Sequence, residues 1–320
     1  MFAIDYFCSM KNIFLFSFAL LSFCNLNAQG CSDAGACSIG GLKNDSKADE
    51  YVSLNMQYAV GEQNTMFFSP QLEMVSKLAK NSGLQLKLPY IFTKGNLGSS
   101  NGLGDITAVF THRYYDKKNW KLGVNLGCKI GVNDANKKHK SSLNDFTSRY
   151  ALPMPYQTSL GTHDLLIGFD ARYREKWIFG LAFQMPLVQF NKNGFDTVLF
   201  DANEIEKKQY YTSAHLFRRP DLVFRADRQF KFLQERMIFQ AGLLPIYHLG
   251  HDRYTDTSGV SHALSGSKGL TLNFTSGFTY ILKNNFSIIV RYGVPLIVRK
   301  VRPDGLTRHF VSALELRYSF

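Results

Sequence analysis

The densest group of side chains able to do chemistry is the run Tyr247-His248-Leu249-Gly250-His251-Asp252-Arg253-Tyr254. Two imidazoles and a carboxylate are donor types that zinc accepts, so His248, His251 and Asp252 are worth weighing as ligands. The competing reading is a polar, hydrogen-bonded passage from a strand into a loop. That reading is preferred, and neither a metal nor a cofactor is expected. A second candidate is Ser99-Ser100-Asn101-Gly102. A serine hydroxyl is a weak nucleophile without a base to take its proton, and no histidine stands beside this one in the sequence, where Gly98 precedes it. The glycines of Gly102-Leu103-Gly104-Asp105 suggest a phosphate loop, but they lead into a strand rather than a helix. There they permit a kinked start. No catalytic residue is expected, and the chain does not read as an enzyme.

The elements that hold these residues begin after a leader. Lys11, the apolar run Ile13 to Cys24 and the small residue Ala28 form a secretory signal peptide over residues 1–28. Met10–Lys11 is an alternative start, and cleavage before Cys31 as a lipoprotein is a second possibility. The apolar run falls short of the roughly 20 residues a helix needs to cross a bilayer. Export changes how the cysteines read. Cys8 and Cys24 leave with the signal, and Cys31 and Cys37 sit in a small-residue stretch in an oxidising compartment, where a disulfide is the default. Residues 29–48 are expected to be a flexible periplasmic segment, or a plug folded into the lumen. Cys128 stands alone on an apolar strand face. The charge, 37 Lys and Arg against 25 Asp and Glu, is +12. There is nevertheless no Lys/Arg-rich run, helix-turn-helix pattern or zinc finger, so nucleic acid is not an expected partner.

Residues 49–320 carry the signal of one antiparallel transmembrane β-barrel. In the last stretch, Thr307 to Phe320, Phe310, Leu314, Leu316, Tyr318 and Phe320 alternate with Thr307, His309, Glu315, Arg317 and Ser319. A strand turns successive side chains to opposite faces, giving one greasy and one wet face. The same pattern recurs in about twelve segments: 50–60, 66–78, 83–93, 103–115, 119–132, 159–174, 176–188, 219–229, 234–248, 269–282, 285–297 and 307–320. Counts of ten or fourteen remain open. The links between strands alternate short and long. Tight ones fall at Lys80–Gly83, Asp116–Asn119, Glu175, Phe230–Leu233 and Lys283–Asn284. Long ones fall at Lys94–Gly102, Asn133–Thr158, Gln189–Arg218, Leu249–Lys268 and Arg299–Leu306. The first link, Gly61–Thr65, breaks the rhythm by being short. Tyr114, Tyr115, Trp120, Tyr173, Trp177, Tyr280, Phe286, Tyr318 and Phe320 crowd the tight end, as an interfacial aromatic girdle does. Asn133–Thr158 and Gln189–Arg218 are expected to be the main external loops and the contact sites for solutes or partners.

Four segments, Gly102–Ile106, Ser159–Asp164, Leu244–Leu249 and Arg302–Arg308, together with Cys31–Cys37, give the chain a resemblance to a group of uncharacterised Gram-negative outer-membrane proteins. That group is similar in turn to the outer-membrane channel family linked to phenol-degradation (MetA) pathways. The resemblance implies a barrel in the outer membrane of a Gram-negative bacterium, with membrane lipid and lipopolysaccharide around it, and a passive role in moving small solutes. It identifies no substrate. Twelve-stranded outer-membrane phospholipases are the hydrolase alternative, and they place a Ser beside a His that this chain lacks. A further alternative is an assembly barrel whose loops dock a partner.

The wet faces supply the expected lumen-lining residues. These are Lys87, Arg113, Lys129, Arg172, Arg174, Arg225, Arg291 and Arg317, against Glu73, Asp105, Asp164, Asp170, Asp221, Asp227 and Glu315. The expected pore mouth holds His248, His251, Asp252, Arg299, Lys300 and Arg302. Because only Asp304 offsets Arg299, Lys300 and Arg302, the mouth is expected to favour anions.

Overall fold

The computed structural model describes residues 50–138, 150–283, 285–305 and 308–320. The expected signal peptide and the expected Cys31–Cys37 disulfide lie outside them. Fifteen strands form: β1 Tyr51–Gly61, β2 Met66–Ala79, β3 Ser82–Gly95, β4 Gly98–Leu103, β5 Ile106–Lys117, β6 Trp120–Ile130, β7 Thr162–Tyr173, β8 Trp177–Gln189, β9 Asp221–Phe232, β10 Met237–His248, β11 Arg253–Thr255, β12 Ser261–Ala263, β13 Gly269–Lys283, β14 Phe286–Ile297 and β15 Arg308–Ser319. Thirteen of them make one sheet. β4 and β5 are two lengths of one stave, since both pair with β3, so the wall has twelve staves. It closes where β1 pairs antiparallel with β15, from Tyr51 opposite Ser319 to Gly61 opposite Arg308. Closure leaves no edge strand, as a span through lipid requires.

The two-residue period decides what each side of the wall meets. On β6, Leu126 is 56% exposed while its neighbour Asn125 is 2% exposed. A leucine open to the outside beside a buried amide is reversed for a soluble sheet and correct for one bathed in lipid. The same inversion holds for Leu54, Phe68, Phe110, Phe169, Leu181, Phe224, Leu243 and Phe274, all exposed, against buried Asn55, Glu73, Lys129, Asp164, Gln184, Asp227 and Asn273. Cys128 also points outward.

At the end bearing both described termini the links are tight. Several non-glycine residues there take left-handed backbone, among them Lys118, Arg174, Glu175 and Leu233 to Glu235. Trp120 and Tyr173 pack there at 4.7 Å between ring centroids, and Arg228 lies over Trp177.

The opposite end departs from expectation in one place. The stretch 94–102, read as a long loop, is a β-hairpin: β3 runs to Gly95 and β4 starts at Gly98. Its residues are small and polar because this part of the wall rises beyond the lipid, so it lacks the apolar alternation that marks the spanning part. With Gly61–Thr65 closed by a Gly61 N–H to Thr65 carbonyl bond, the first two outer connections are both short. The remaining four, 131–161, 190–220, 249–268 and 298–307, are long.

Candidate functional site

Described parts of the long connections fold together over the mouth. Leu152, Tyr156, Phe195, Phe200 and Tyr210 form one buried cluster with Leu97 against it, and Ala135, Met154, Leu160 and Leu216 form another. Asparagines replace regular strand pairing. The Asn193 amide donates to the carbonyls of Ala135 (2.8 Å) and Leu152 (2.9 Å), and its oxygen accepts from Phe195 N–H (3.0 Å) and Ser213 Oγ (2.9 Å). These bonds join 131–161 to 190–220. The low side of the wall meets this cap through tyrosine hydroxyls. Leu97 N–H donates to the Tyr156 hydroxyl (3.1 Å), which contacts that of Tyr210 (3.1 Å), itself 3.3 Å from Thr65 Oγ1. Burial holds the Tyr210 phenol well above its usual range. Gly305, at φ 68°, lies so close to the cap that a Cβ would come within 2.4 Å of Pro155 N.

Beneath the cap is a buried ionic network centred on Arg218, which is 1% exposed. It lies against three carboxylates: Asp221 at 3.2 Å, Asp304 at 3.7 Å and Asp164 at 3.9 Å. Lys129 joins from β6, 3.0 Å from Asp164 and 3.3 Å from Asp105. On the other flank His248 bridges two carboxylates, Asp221 through Nδ1 (2.6 Å) and Asp252 through Nε2 (2.8 Å). Arg299 closes the circuit, bonding Asp304, lying 3.8 Å from Asp252 and donating to the Ser267 carbonyl at 3.1 Å. Burial alone would push the Arg218 and Arg299 guanidiniums down, yet the surrounding carboxylates hold both above their usual range. Burial would likewise raise Asp304, and Arg299 and Arg218 outweigh it, keeping that carboxyl well below the usual range. Five carboxylates thus meet three permanent cations and one histidine. Through them the loops 190–220, 249–268 and 298–307 are tied to staves β6, β7, β9 and β10.

One motif residue after another arrives here. Asp105, Asp164, His248 and Asp304 come from the four sequence segments that carried the resemblance, and the network is where those segments meet. Just below it, Val109, Leu166, Ala182, Val223 and Leu244 form an apolar patch on the inner face across staves β5 to β10, with Ile246 against it. Gly127 sits between Val109 and Leu166 in register, leaving room for both.

The remaining inward charges pair locally, one group of them at the seam between β1 and β15. Arg317 donates to Glu315 (2.6 and 3.0 Å) and stacks over Tyr51, and Arg291 bonds Glu315 from β14. Glu73 accepts from Tyr51 Oη (2.6 Å) and Gln85 Nε2 (2.7 Å), with buried Lys87 opposite it in register. Asp170 accepts from Asn125 at 2.9 Å, Arg225 bonds Asp227, and Arg172 lies opposite Lys121. Arg113 is part-exposed at the tight end, 3.5 Å from Asp116.

The expected mouth residues separate. His248 and Asp252 turn inward, whereas His251 is exposed on the outer side and does not join them. Arg299 is not an open mouth cation, because burial and two carboxylates claim it. Lys300 is exposed, its carbonyl accepting from Tyr211 Oη, and Arg302 is partly buried. Ser100 donates to the Tyr156 carbonyl, a role in holding the cap. Arg218 was not singled out in the sequence, although the pair Arg218-Arg219 before Pro220 is a visible signal.

No protein-family model matches the chain, and neither does any curated protein. Among solved structures, an outer-membrane channel from Pseudomonas putida F1 is similar with a TM-score of 0.57 at 14% identity, over 88% of this chain and 98% of that one. The translocator domain of the autotransporter NalP from Neisseria meningitidis follows at 0.48 and 10% identity, over 88% and 91%. The NanC porin follows at 0.45 and 7% identity, over 84% and 98%. The first of these likenesses supports the closed antiparallel barrel.

Proposed function

We propose that this protein is a passive outer-membrane channel for small solutes whose long loops cap its outer mouth. The observation that carries the reading is the inner wall. Twelve staves enclose more space than the eight whose side chains fill a barrel, and this chain lines much of that space with polar and charged groups, interrupted by the apolar group around Leu166. An inert anchor has no use for so many buried charges, each of which must be paired at a cost. The ionic network and the apolar patch beneath it lie under the cap, and on this reading passage requires the cap to move. The similar Pseudomonas putida channel accords with this reading. Outer-membrane residence, contact with lipid and lipopolysaccharide, and kinship with the uncharacterised family behind the four motifs belong to the same proposal. A phenol substrate does not.

The inward charges pair with one another, so ion selectivity is expected to be weak rather than anionic. The test is conductance of the refolded protein in planar bilayers. Small, infrequent openings in the wild type that become frequent when the cap is loosened support the channel. A flat baseline in both, from protein shown to be folded, overturns it.

A further inference from the structure

Arg218 and Arg219 are adjacent and have opposite fates. Arg218 points into the barrel and is wrapped in carboxylates, whereas Arg219 lies on the outer side with its guanidinium 5.2 Å from the centre of the Phe217 ring, which is 42% exposed. Beside it is an open recess of about 470 Å³ that Arg219 shares with His251, Arg253, Pro220 and Leu249. Leu249 is 39% exposed, and the preceding His248 is buried in the network, so the recess opens on the side of the wall away from the lumen. Gly250 permits this arrangement, because a Cβ there would come within 2.8 Å of Arg219 Cγ. Arg253 is fixed by donating to Ser261 Oγ (3.0 Å) and the Ser261 carbonyl (3.3 Å). Among the described residues neither Arg219 nor Arg253 has an ion-pair partner. Asp252 accepts from the Arg219 backbone N–H but is fully buried and turned to His248 and Arg299. Directly below on the outer wall, Tyr247 and Leu222 are paired in register and exposed to the lipid side.

A recess with two guanidiniums and an imidazole, at the outer rim of a barrel and just above an apolar wall, has the chemistry of an anionic amphiphile. Guanidiniums take phosphate oxygens in forked pairs, while the wall below takes acyl chains. We propose that this recess binds a phosphate of a lipid A headgroup in the outer leaflet, an inference that rests on the outer-membrane reading above. Arg219 and Arg253 grip the phosphate, His251 adds a donor, and Leu249 and Pro220 cover the sugar and first methylenes.

The test uses the full-length folded barrel in detergent with bis-phosphorylated hexa-acyl lipid A, its dephosphorylated form, and inorganic phosphate, read by native mass spectrometry. Bis-phosphorylated lipid A is expected to bind at least tenfold more tightly than the dephosphorylated form. The double variant Arg219→Gln/Arg253→Gln is expected to lose that difference. Equal binding of both forms, or an unaltered double variant, overturns the site. Displacement of lipid A by equimolar inorganic phosphate also overturns it, since the recess would then be a free-anion site. Heat-modifiable gel migration shows that each variant is folded, and flotation of cell membranes reports residence. Equal binding of the two lipid A forms by folded wild-type barrel that floats with the outer membrane therefore counts against the site alone, and absence from the outer membrane counts against the reading beneath it.

Discussion

Replacing Arg218 with Met keeps most of its volume and removes its charge from among Asp221, Asp304 and Asp164. Breaking a buried pair by deleting one partner costs about 3–5 kcal/mol, because the other charge is left desolvated. The staves do not depend on Arg218 for their ladders, so the loss falls on the equilibrium between seated and lifted cap. At about 1.4 kcal/mol per tenfold change, the lifted population rises by roughly two to three and a half orders of magnitude. Two assays read this. Single-channel records of Arg218→Met are expected to show far longer open times than wild type, and protease added outside is expected to cut within 190–220 where wild type resists. Arg218→Met/Asp304→Leu is expected to recover part of the loss, since an apolar replacement of a whole buried pair is often tolerated. Wild-type open times and unchanged cleavage in Arg218→Met would mean that the network does not hold the cap.

Acid should not release this latch over ordinary pH. The Asp304 carboxyl is held below its unfolded value, so its contribution is present above about pH 4 and is lost only as pH falls through the folded value. Channel opening near pH 5.5 by a step absent from Asp304→Asn would contradict this. Gly305→Ala adds a Cβ at positive φ, costing about 1–2 kcal/mol before its clash with Pro155, and should raise protease sensitivity of 131–161. Leu126→Arg on the lipid side is expected to cost about 2–4 kcal/mol in urea unfolding from vesicles, more than Asn125→Arg on the inner face. A reversed order would invert the assigned faces. In a salt gradient, a reversal potential near zero is expected, and a strong anion preference would show that Lys300 and its neighbours act despite the pairing of Arg299.

The wall was legible because lipid leaves a simple mark. A two-residue period of large apolar and small or polar residues locates each stave, and along it Asp164, Lys129 and Glu315 are buried while their outward neighbours are not. Legibility ended where the lipid does. Ser99, Ser100 and Asn101 continue a strand above the membrane, where nothing demands apolar alternation, so they resemble a loop. The cap was harder still. Tyr156, Phe195 and Tyr210 belong to one small core but come from segments with no period, joined by asparagine side chains whose partners lie far along the chain. His248 and His251 are three residues apart, an odd offset that the two-residue period sends to opposite sides, so they could not have met as joint ligands on this stretch. Arg218 needed the fold to show that it, and not Arg219, faces inward.

The seam between β1 and β15 also sets a timetable. Tyr51 pairs with Ser319, so the first stave has no partner on that side until the last has been delivered. Contacts separated by almost the whole chain form slowly, since a long loop must close before they repay its entropy. The inner stitch of Arg317, Glu315, Arg291 and Tyr51 straddles that same line, and it draws three of its four members from the last two staves and one from the first. Until then two strand edges, rich in outward apolar residues, stay unpaired and prone to wrong partners, so the chain needs them shielded between export and closure. Closure is therefore the late event, after pairing of neighbouring staves, and a chain lacking its final stave would be left with an open edge on β1.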